Sequence, residues 1–174
     1  MFRRLLLPAL ACALCAPACV ESAPGPRYAA DGRLLRPDGV DRWVLVGASI
    51  GQGYRDATEA GPGMFHRVYL EPSAYDHFLR TGRFREGTMF ALVIRHPVRR
   101  VPPSRTGWTE GELAALEVSV KDGSRFEGGW AYFDFGRAAE PAEAFPRERC
   151  ASCHARHAVL DNVFVQFYPQ LRGR

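Results

Sequence analysis

Residues 65–70 read Phe65-His66-Arg67-Val68-Tyr69-Leu70 and have the alternation of a β-strand. The odd-numbered side chains should share one face and the even-numbered ones the other, since successive residues of a strand point to opposite sides. Outward from this segment, similar short runs occur at residues 42–48, 88–95, 113–120, 130–135 and 163–168. Five or six short strands predict an α+β, mainly β fold, with an antiparallel sheet of about five strands and a few short helices.

Two segments outside these runs have the pattern of a helix. Pro72 suits a first helical position, an apolar stripe with i, i+3, i+4 spacing begins at Tyr75, and Gly82 supplies a stop. Such a stripe is typical of a helix that packs on a core. A second helix is expected over residues 147–160, where it would hold the cysteine motif near the C-terminus.

That motif is Cys150-Ala151-Ser152-Cys153-His154, and its spacing is the attachment signature of a c-type haem. Cys150 and Cys153 are predicted to bind one haem c through thioethers, and His154 is predicted to be the axial ligand of its iron. A zinc half-site fits less well, because no second pair of ligands at similar spacing lies downstream. A redox-active dithiol also fits less well, because it has no use for the histidine.

The N-terminal segment has the pattern of an export signal. A basic start, Met1 to Arg4, precedes an apolar run that is too short to span a bilayer and ends in small residues. We therefore expect residues 1–18 to be a signal peptide and the protein to be periplasmic. Cleavage just before Cys19 would make that cysteine the lipid-bearing residue of a lipoprotein, whereas ordinary cleavage near Ala18 or Ala23 is the favoured alternative.

Charge and composition limit the domains and partners. The formal net charge of +4 falls to +2 when residues 1–18 and their two arginines are removed, which is too slight to suggest nucleic acid binding. Residues 19–41 are expected to form a loose N-terminal lead, and residues 42–174 one domain. The basic, proline-rich run at residues 95–105 is either a solvated connection or a docking site for an acidic redox protein or a membrane surface.

Five ordered segments resemble the cytochrome P-460 family and together cover about residues 40–171. They are residues 65–75, 81–88, 111–122, 125–133 and 150–169. The resemblance implies a mainly antiparallel β fold with a few helices, a single c-type haem held by the C-terminal motif, and often a homodimer.

The resemblance also implies one of two functions. Members similar to cytochrome P-460 itself oxidise hydroxylamine, sometimes with nitric oxide, and cross-link a lysine to the porphyrin. Members similar to cytochrome c′-β bind diatomic gases at a five-coordinate haem under an apolar, aromatic cap. The cross-linking lysine should fall within residues 75–81, near Leu79 or Arg80, but the one lysine of this chain is Lys121. Arginine is a poor substitute because its guanidinium stays protonated.

Binding of nitric oxide or another small gas is therefore favoured. A hydroxylamine or nitric oxide oxidoreductase and a simple electron-transfer cytochrome stay open as alternatives. Phe65 and Phe90 are predicted to cap the haem, with Met89 as an alternate. Oxidation would need a base to accept protons, and the candidates, each of which also suits an ordinary structural role, are Glu117, Asp134 and His66. An electron carrier would take His66 or Met89 as a sixth ligand.

Overall fold

The computed structural model describes residues 25–53 and 61–173. The expected signal peptide and the cleavage sites at Ala18, Cys19 and Ala23 lie outside these residues. Five antiparallel strands form one sheet in the order of the chain. They are β1 (Val44–Ile50), β2 (Phe65–Leu70), β3 (Met89–Arg99), β4 (Trp108–Lys121) and β5 (Trp130–Gly136). The predicted mainly β fold with an antiparallel sheet is confirmed.

Two α-helices accompany the sheet, α1 (Pro72–Thr81) between β2 and β3, and α2 (Ala151–His157) after β5. Short 3₁₀ turns occur at Val40–Arg42 and Val165–Phe167. Within the described ranges, no helix is long and apolar enough to cross a membrane.

The predicted strands and the observed ones differ most at the β3–β4 hairpin and near the C-terminus. β3 and β4 are longer than predicted because they pair with each other as far as Arg99 and Trp108, beyond the end of β2. The sixth strand predicted over residues 163–168 is wrong, since this segment makes a single bridge, from Val163 to Leu160, and then a 3₁₀ turn. Val163, Phe164 and Val165 are buried as irregular chain packed against the sheet, whereas Phe167 is exposed.

Helix α1 begins and ends where the sequence indicated. The Glu71 carboxylate accepts hydrogen bonds from the backbone N–H groups of Ser73 (2.8 Å) and Ala74 (2.9 Å), which have no partner inside the helix. Gly82 ends the helix in a left-handed conformation (φ 67°) that favours glycine. The helix buries Phe78 against the sheet, which fixes one side of the aromatic core described below.

Helix α2 is shorter than the predicted range of residues 147–160. Its first residue follows Cys150, and the chain becomes extended at Ala158. Asp161 and Asn162 then adopt positive φ angles of 46° and 58°, which a continuous right-handed helix excludes. The turn at these two residues folds the C-terminal segment back over α2.

The two faces of the sheet carry separate apolar clusters. One cluster contacts α1, α2 and the C-terminal segment, and we call this side the helix face; its buried members include Leu70, Phe78, Phe90 and Trp130. The other cluster contacts residues 25–43, and we call this side the lead face. There Leu34 is fully buried and exchanges backbone hydrogen bonds with Ala142.

Candidate functional site

The cysteine motif lies at the start of α2 on the helix face. Cys150 is the N-cap residue, and Cys153 and His154 follow it in the first turn. Residues at i, i+3 and i+4 lie on one side of a helix, so the two thiols and the imidazole share that side. Both cysteines are free and half-buried. The fold therefore presents two thiols and one imidazole together.

A cleft separates this part of α2 from the sheet. Its cavity volume is about 120 Å³, and its walls come from α2, the sheet and the C-terminal segment. Its lining includes Val68, Phe90, Leu92, Glu117, Tyr132 and His154. A second cavity of about 350 Å³ adjoins it, shares Val68, Leu92 and Tyr168, and extends to His66. A long, mainly apolar cleft thus runs along the helix face.

Gly47 allows the C-terminal segment to close one end of this cleft. β1 has an irregular register between Leu45 and Gly47. A Cβ atom at Gly47 would lie 2.6 Å from a ring carbon of Tyr168 and 3.2 Å from the carbonyl oxygen of Phe167. Only a residue without a side chain permits this close approach.

His154 is held in one orientation and one tautomer. Its Nδ1 lies 2.8 Å from the carbonyl oxygen of Asn162, and because a carbonyl only accepts, Nδ1 carries the proton. The ring packs between Tyr132 and Phe164, with centroid distances of 4.4 and 4.5 Å. Burial lowers the pKa of His154, although its hydrogen bond to Asn162 opposes that effect. The neutral imidazole leaves Nε2 free to bind a metal ion.

The sheet wall of the cleft is apolar at its centre. Phe90 is 5% exposed and packs against Phe84, Trp130 and Tyr168, with centroid distances of 5.3, 6.2 and 6.1 Å. Val68 and Leu92 are register partners beside it. Phe90 therefore lines the same cleft as His154 and has little freedom to move.

The other predicted cap residues lie elsewhere. Phe65 and Val68 point to opposite faces of β2, because they are an odd number of positions apart. Phe65 therefore belongs to the lead face, with Arg67 and Tyr69. Met89 is in the buried cluster of the lead face. Of the three, only Phe90 is among the residues that line the cleft.

The three candidate bases have different environments. Glu117 lines the cleft, and burial, followed by repulsion from Asp134, raises its pKa, although Arg149 opposes the shift. Asp134 is its register partner on β5 and is exposed. His66 lines the adjoining space, and burial lowers its pKa. Among the described residues that line the cleft beside Cys150 and His154, Glu117 is thus the one carboxylate.

Several cleft residues were not predicted from the sequence. Tyr132, Asn162 and Phe164 surround His154, and Tyr168 closes the cleft beside Phe90. Tyr132 is two positions from both Trp130 and Asp134 on β5, and residues two positions apart on a strand share a face. Strand periodicity therefore placed Tyr132 on the same face as the candidate base Asp134. The contacts of Asn162 depend on the turn after α2, for which the sequence had no comparable pattern.

The lysine of this chain lies outside the cleft lining. Lys121 Nζ donates to the carbonyl oxygen of Phe84 (3.0 Å) and forms an ion pair with Asp161 (2.5 Å). On α1, where the cross-linking lysine was expected in related proteins, Leu79 and Arg80 are exposed. The amine of Lys121 is therefore occupied by other partners.

The residues of the cleft fit an apolar, planar, metal-containing group such as haem. The Cys150 thiol and an imidazole with an available Nε2 stand at one wall, the free Cys153 thiol follows Cys150 in the same turn of α2, and apolar side chains are part of the sheet wall. The Tyr132 hydroxyl is buried and has no hydrogen-bond partner among the described residues, so the cleft also holds an unsatisfied polar group.

Comparison with known proteins agrees with this fit. Residues 37–165 match the family described as Cytochrome P460, which confirms the resemblance seen in the sequence. The match implies haem binding of the kind found in haem c cytochromes. No curated protein matched the chain.

Proposed function

The chain belongs to the cytochrome P460 family, and from this premise we propose that it is an exported monohaem c-type cytochrome that binds nitric oxide or another small diatomic gas. One observation carries the proposal. The sheet wall of the cleft includes Val68, Phe90 and Leu92, which cannot bind iron. Among the described residues of this lining, His154 is the only histidine, and none is a methionine. The haem is accordingly five-coordinate in this proposal.

Cys150 and Cys153 would hold the haem through thioethers, and Nε2 of His154 would bind its iron. When bound, the haem supplies an iron atom with one open position for a gas molecule. The chain's own residues set the conditions around that position. The Asn162 carbonyl keeps the proton of His154 on Nδ1, and the packed ring of Phe90 keeps water from the apolar wall. Val68, Phe90 and Leu92 offer bound oxygen no hydrogen-bond donor, so this part of the wall favours ligands that need none.

Export, subunit number and partners complete the proposal. The N-terminal pattern supports a periplasmic location, with a lipid anchor at Cys19 as the alternative to a cleaved, unanchored chain. The family resemblance supports a homodimer. A small redox protein is the proposed electron partner, because a haem iron needs a donor to stay ferrous.

Oxidation of hydroxylamine or nitric oxide is the second candidate, and Glu117 is the observation that favours it. Its position in the cleft and its raised pKa suit a group that accepts protons. The missing lysine at residues 75–81 and the occupied amine of Lys121 count against the cross-linked form of this chemistry. An electron carrier would need His66 as its second ligand, since Met89 faces away from the cleft.

The absorption spectrum of the purified, reduced protein tests the proposal. We expect a high-spin, five-coordinate spectrum that changes on addition of carbon monoxide, and a mass equal to the processed chain plus one haem. A sharp low-spin α band before any ligand is added would contradict the open position and favour the electron carrier. A red-shifted Soret band with rapid hydroxylamine turnover would favour the oxidoreductase.

A further inference from the structure

The turn after α2 is held by an ion pair that the proposed function does not use. Asp161 Oδ2 lies 2.5 Å from Nζ of Lys121, and Asp161 Oδ1 accepts a hydrogen bond from the indole N–H of Trp130 (3.2 Å). Lys121 is held in turn by the Phe84 carbonyl. These contacts join the ends of β4 and β5 to the turn.

This turn needs support because two successive residues adopt left-handed conformations. Asp161 has φ 46° and Asn162 has φ 58°, and each such conformation costs free energy for a residue with a side chain, although aspartate and asparagine tolerate it best. Only 18% of the Lys121 side chain and 33% of the Asp161 side chain are exposed, so water screens their attraction less than at an open surface. The ion pair thus stabilises a backbone that would otherwise relax.

The backbone that it stabilises carries the acceptor for His154. The carbonyl of Asn162, next to Asp161, accepts the Nδ1 proton at 2.8 Å. A carbonyl in this position orients the imidazole and makes its other nitrogen a better electron donor to a metal. A change in the position of Asp161 therefore reaches His154 through one peptide unit.

We propose that Lys121, acting through Asp161, is a positioning residue for His154. The inference rests on the proposed function, in which His154 Nε2 binds the haem iron. It assigns the one lysine of the chain to the proximal side, where it controls the bond strength and electron donation of the axial ligand. Loss of the cation should loosen the turn, weaken the bond from Nδ1 to Asn162, and make His154 a poorer donor.

The test compares the holoproteins of the wild type, Lys121→Met, Lys121→Arg and Asp161→Asn. We expect K121M to raise the reduction potential, because a poorer donor stabilises ferric iron less, and to lower the iron–histidine stretching frequency in the resonance Raman spectrum of the ferrous protein. K121R keeps a cation near Asp161 and should restore both values most of the way. D161N keeps an oxygen acceptor of the same shape but removes the charge, so it should shift both values in the same direction as K121M.

Arg67→Met is the matched control. It removes one partner of another half-buried ion pair, Arg67 with Glu110 (2.6 Å), on the lead face, so it should lower stability without changing either value. Wild-type potential and stretching frequency in both K121M and D161N would overturn the inference. If K121M fails to retain haem, D161N decides alone.

A further variant, His154→Ala, separates this inference from the proposed function. If the spectrum of H154A equals that of the wild type, His154 is not the ligand and the proposed function fails. If H154A loses the iron–histidine stretching band while K121M and D161N keep the wild-type potential and stretching frequency, only the positioning role of Lys121 is wrong.

Discussion

Strand β4 shows how differently the two faces of this sheet are used. Its even-numbered residues Leu116, Val118 and Val120 are buried in the lead-face cluster, at 3%, 2% and 0% exposure. Its odd-numbered residues Glu117 and Ser119 line the cleft beside His154. One strand therefore supplies a packed core with one set of side chains and a binding cleft with the other. The comparison indicates that changes on the lead face act on stability alone, whereas changes at the cleft of the helix face should also act on haem binding.

The largest expected effect is on the helix face, at the thiols. The double variant Cys150→Ala, Cys153→Ala should lose all covalently attached haem, because no other described cysteine is available to form a thioether. The measurement is haem staining after denaturing electrophoresis, with acid–acetone extraction as the second check. Haem that survives both treatments in the variant would show that attachment uses other groups.

A core substitution on the lead face should lower stability and leave the haem unchanged. Phe135 is 4% exposed and belongs to the lead-face cluster, so Phe135→Ala should lower the free energy of unfolding by about 3–5 kcal/mol. The haem spectrum and the carbon monoxide spectrum of the folded fraction should stay as in the wild type. Denaturant titration measures the free energy of unfolding. A changed haem spectrum at low denaturant would show that the lead face also affects the haem.

A pair of phenylalanines tests the division within the predicted cap. Phe90→Ala should enlarge the cleft and speed carbon monoxide binding severalfold, because the ring packs in the sheet wall of the cleft. Phe65→Ala is the matched control on the lead side of β2 and should leave the rate unchanged. Stopped-flow mixing of the ferrous proteins measures both rates. Equal acceleration in the two variants would assign Phe65 to the cap after all.

The smallest expected effect is the pH dependence that Glu117 gives to stability. Burial raises the pKa of Glu117 above its unfolded value of 4.5, so the folded protein holds this proton to a higher pH than the unfolded chain. Stability therefore falls as pH rises from the unfolded pKa through the folded pKa. Glu117→Gln should remove this fall, making the variant more stable than the wild type at pH 7 and equal to it below pH 4. A wild type that is the more stable of the two at pH 7 would contradict a carboxylate that burial disfavours.

Local sequence pattern was enough to predict most of the sheet and helix α1. Alternation defined β2 to the residue, and Pro72 and Gly82 marked the limits of α1, because each of these signals depends on neighbours within a few positions. The same kind of signal failed over residues 163–168. An apolar run predicts burial, but whether the buried chain pairs as a strand depends on the free edge that the rest of the fold offers.

The candidate site likewise has one part that local spacing predicts and another that depends on the fold. The spacing of Cys150, Cys153 and His154 predicted that two thiols and an imidazole share one side of a helical turn, since this depends only on one turn of chain. Nothing in the sequence ranked Phe90 above Phe65, because both are aromatic residues on strands. Their separation depends on which face of the sheet receives α2.

The sequence by itself determined the strands, the first helix and the motif that holds the haem in our proposal, because these depend on residues close together in the chain. Only the tertiary structure decided what surrounds His154. The Asn162 carbonyl reaches the imidazole because Lys121 and Trp130, about 30 to 40 positions earlier, hold Asp161 in a left-handed turn. In the same way, the composition of residues 19–41 did not indicate that Leu34 is fully buried against the sheet. Contacts between distant segments form only when the whole chain has folded, and no local pattern of residues records them.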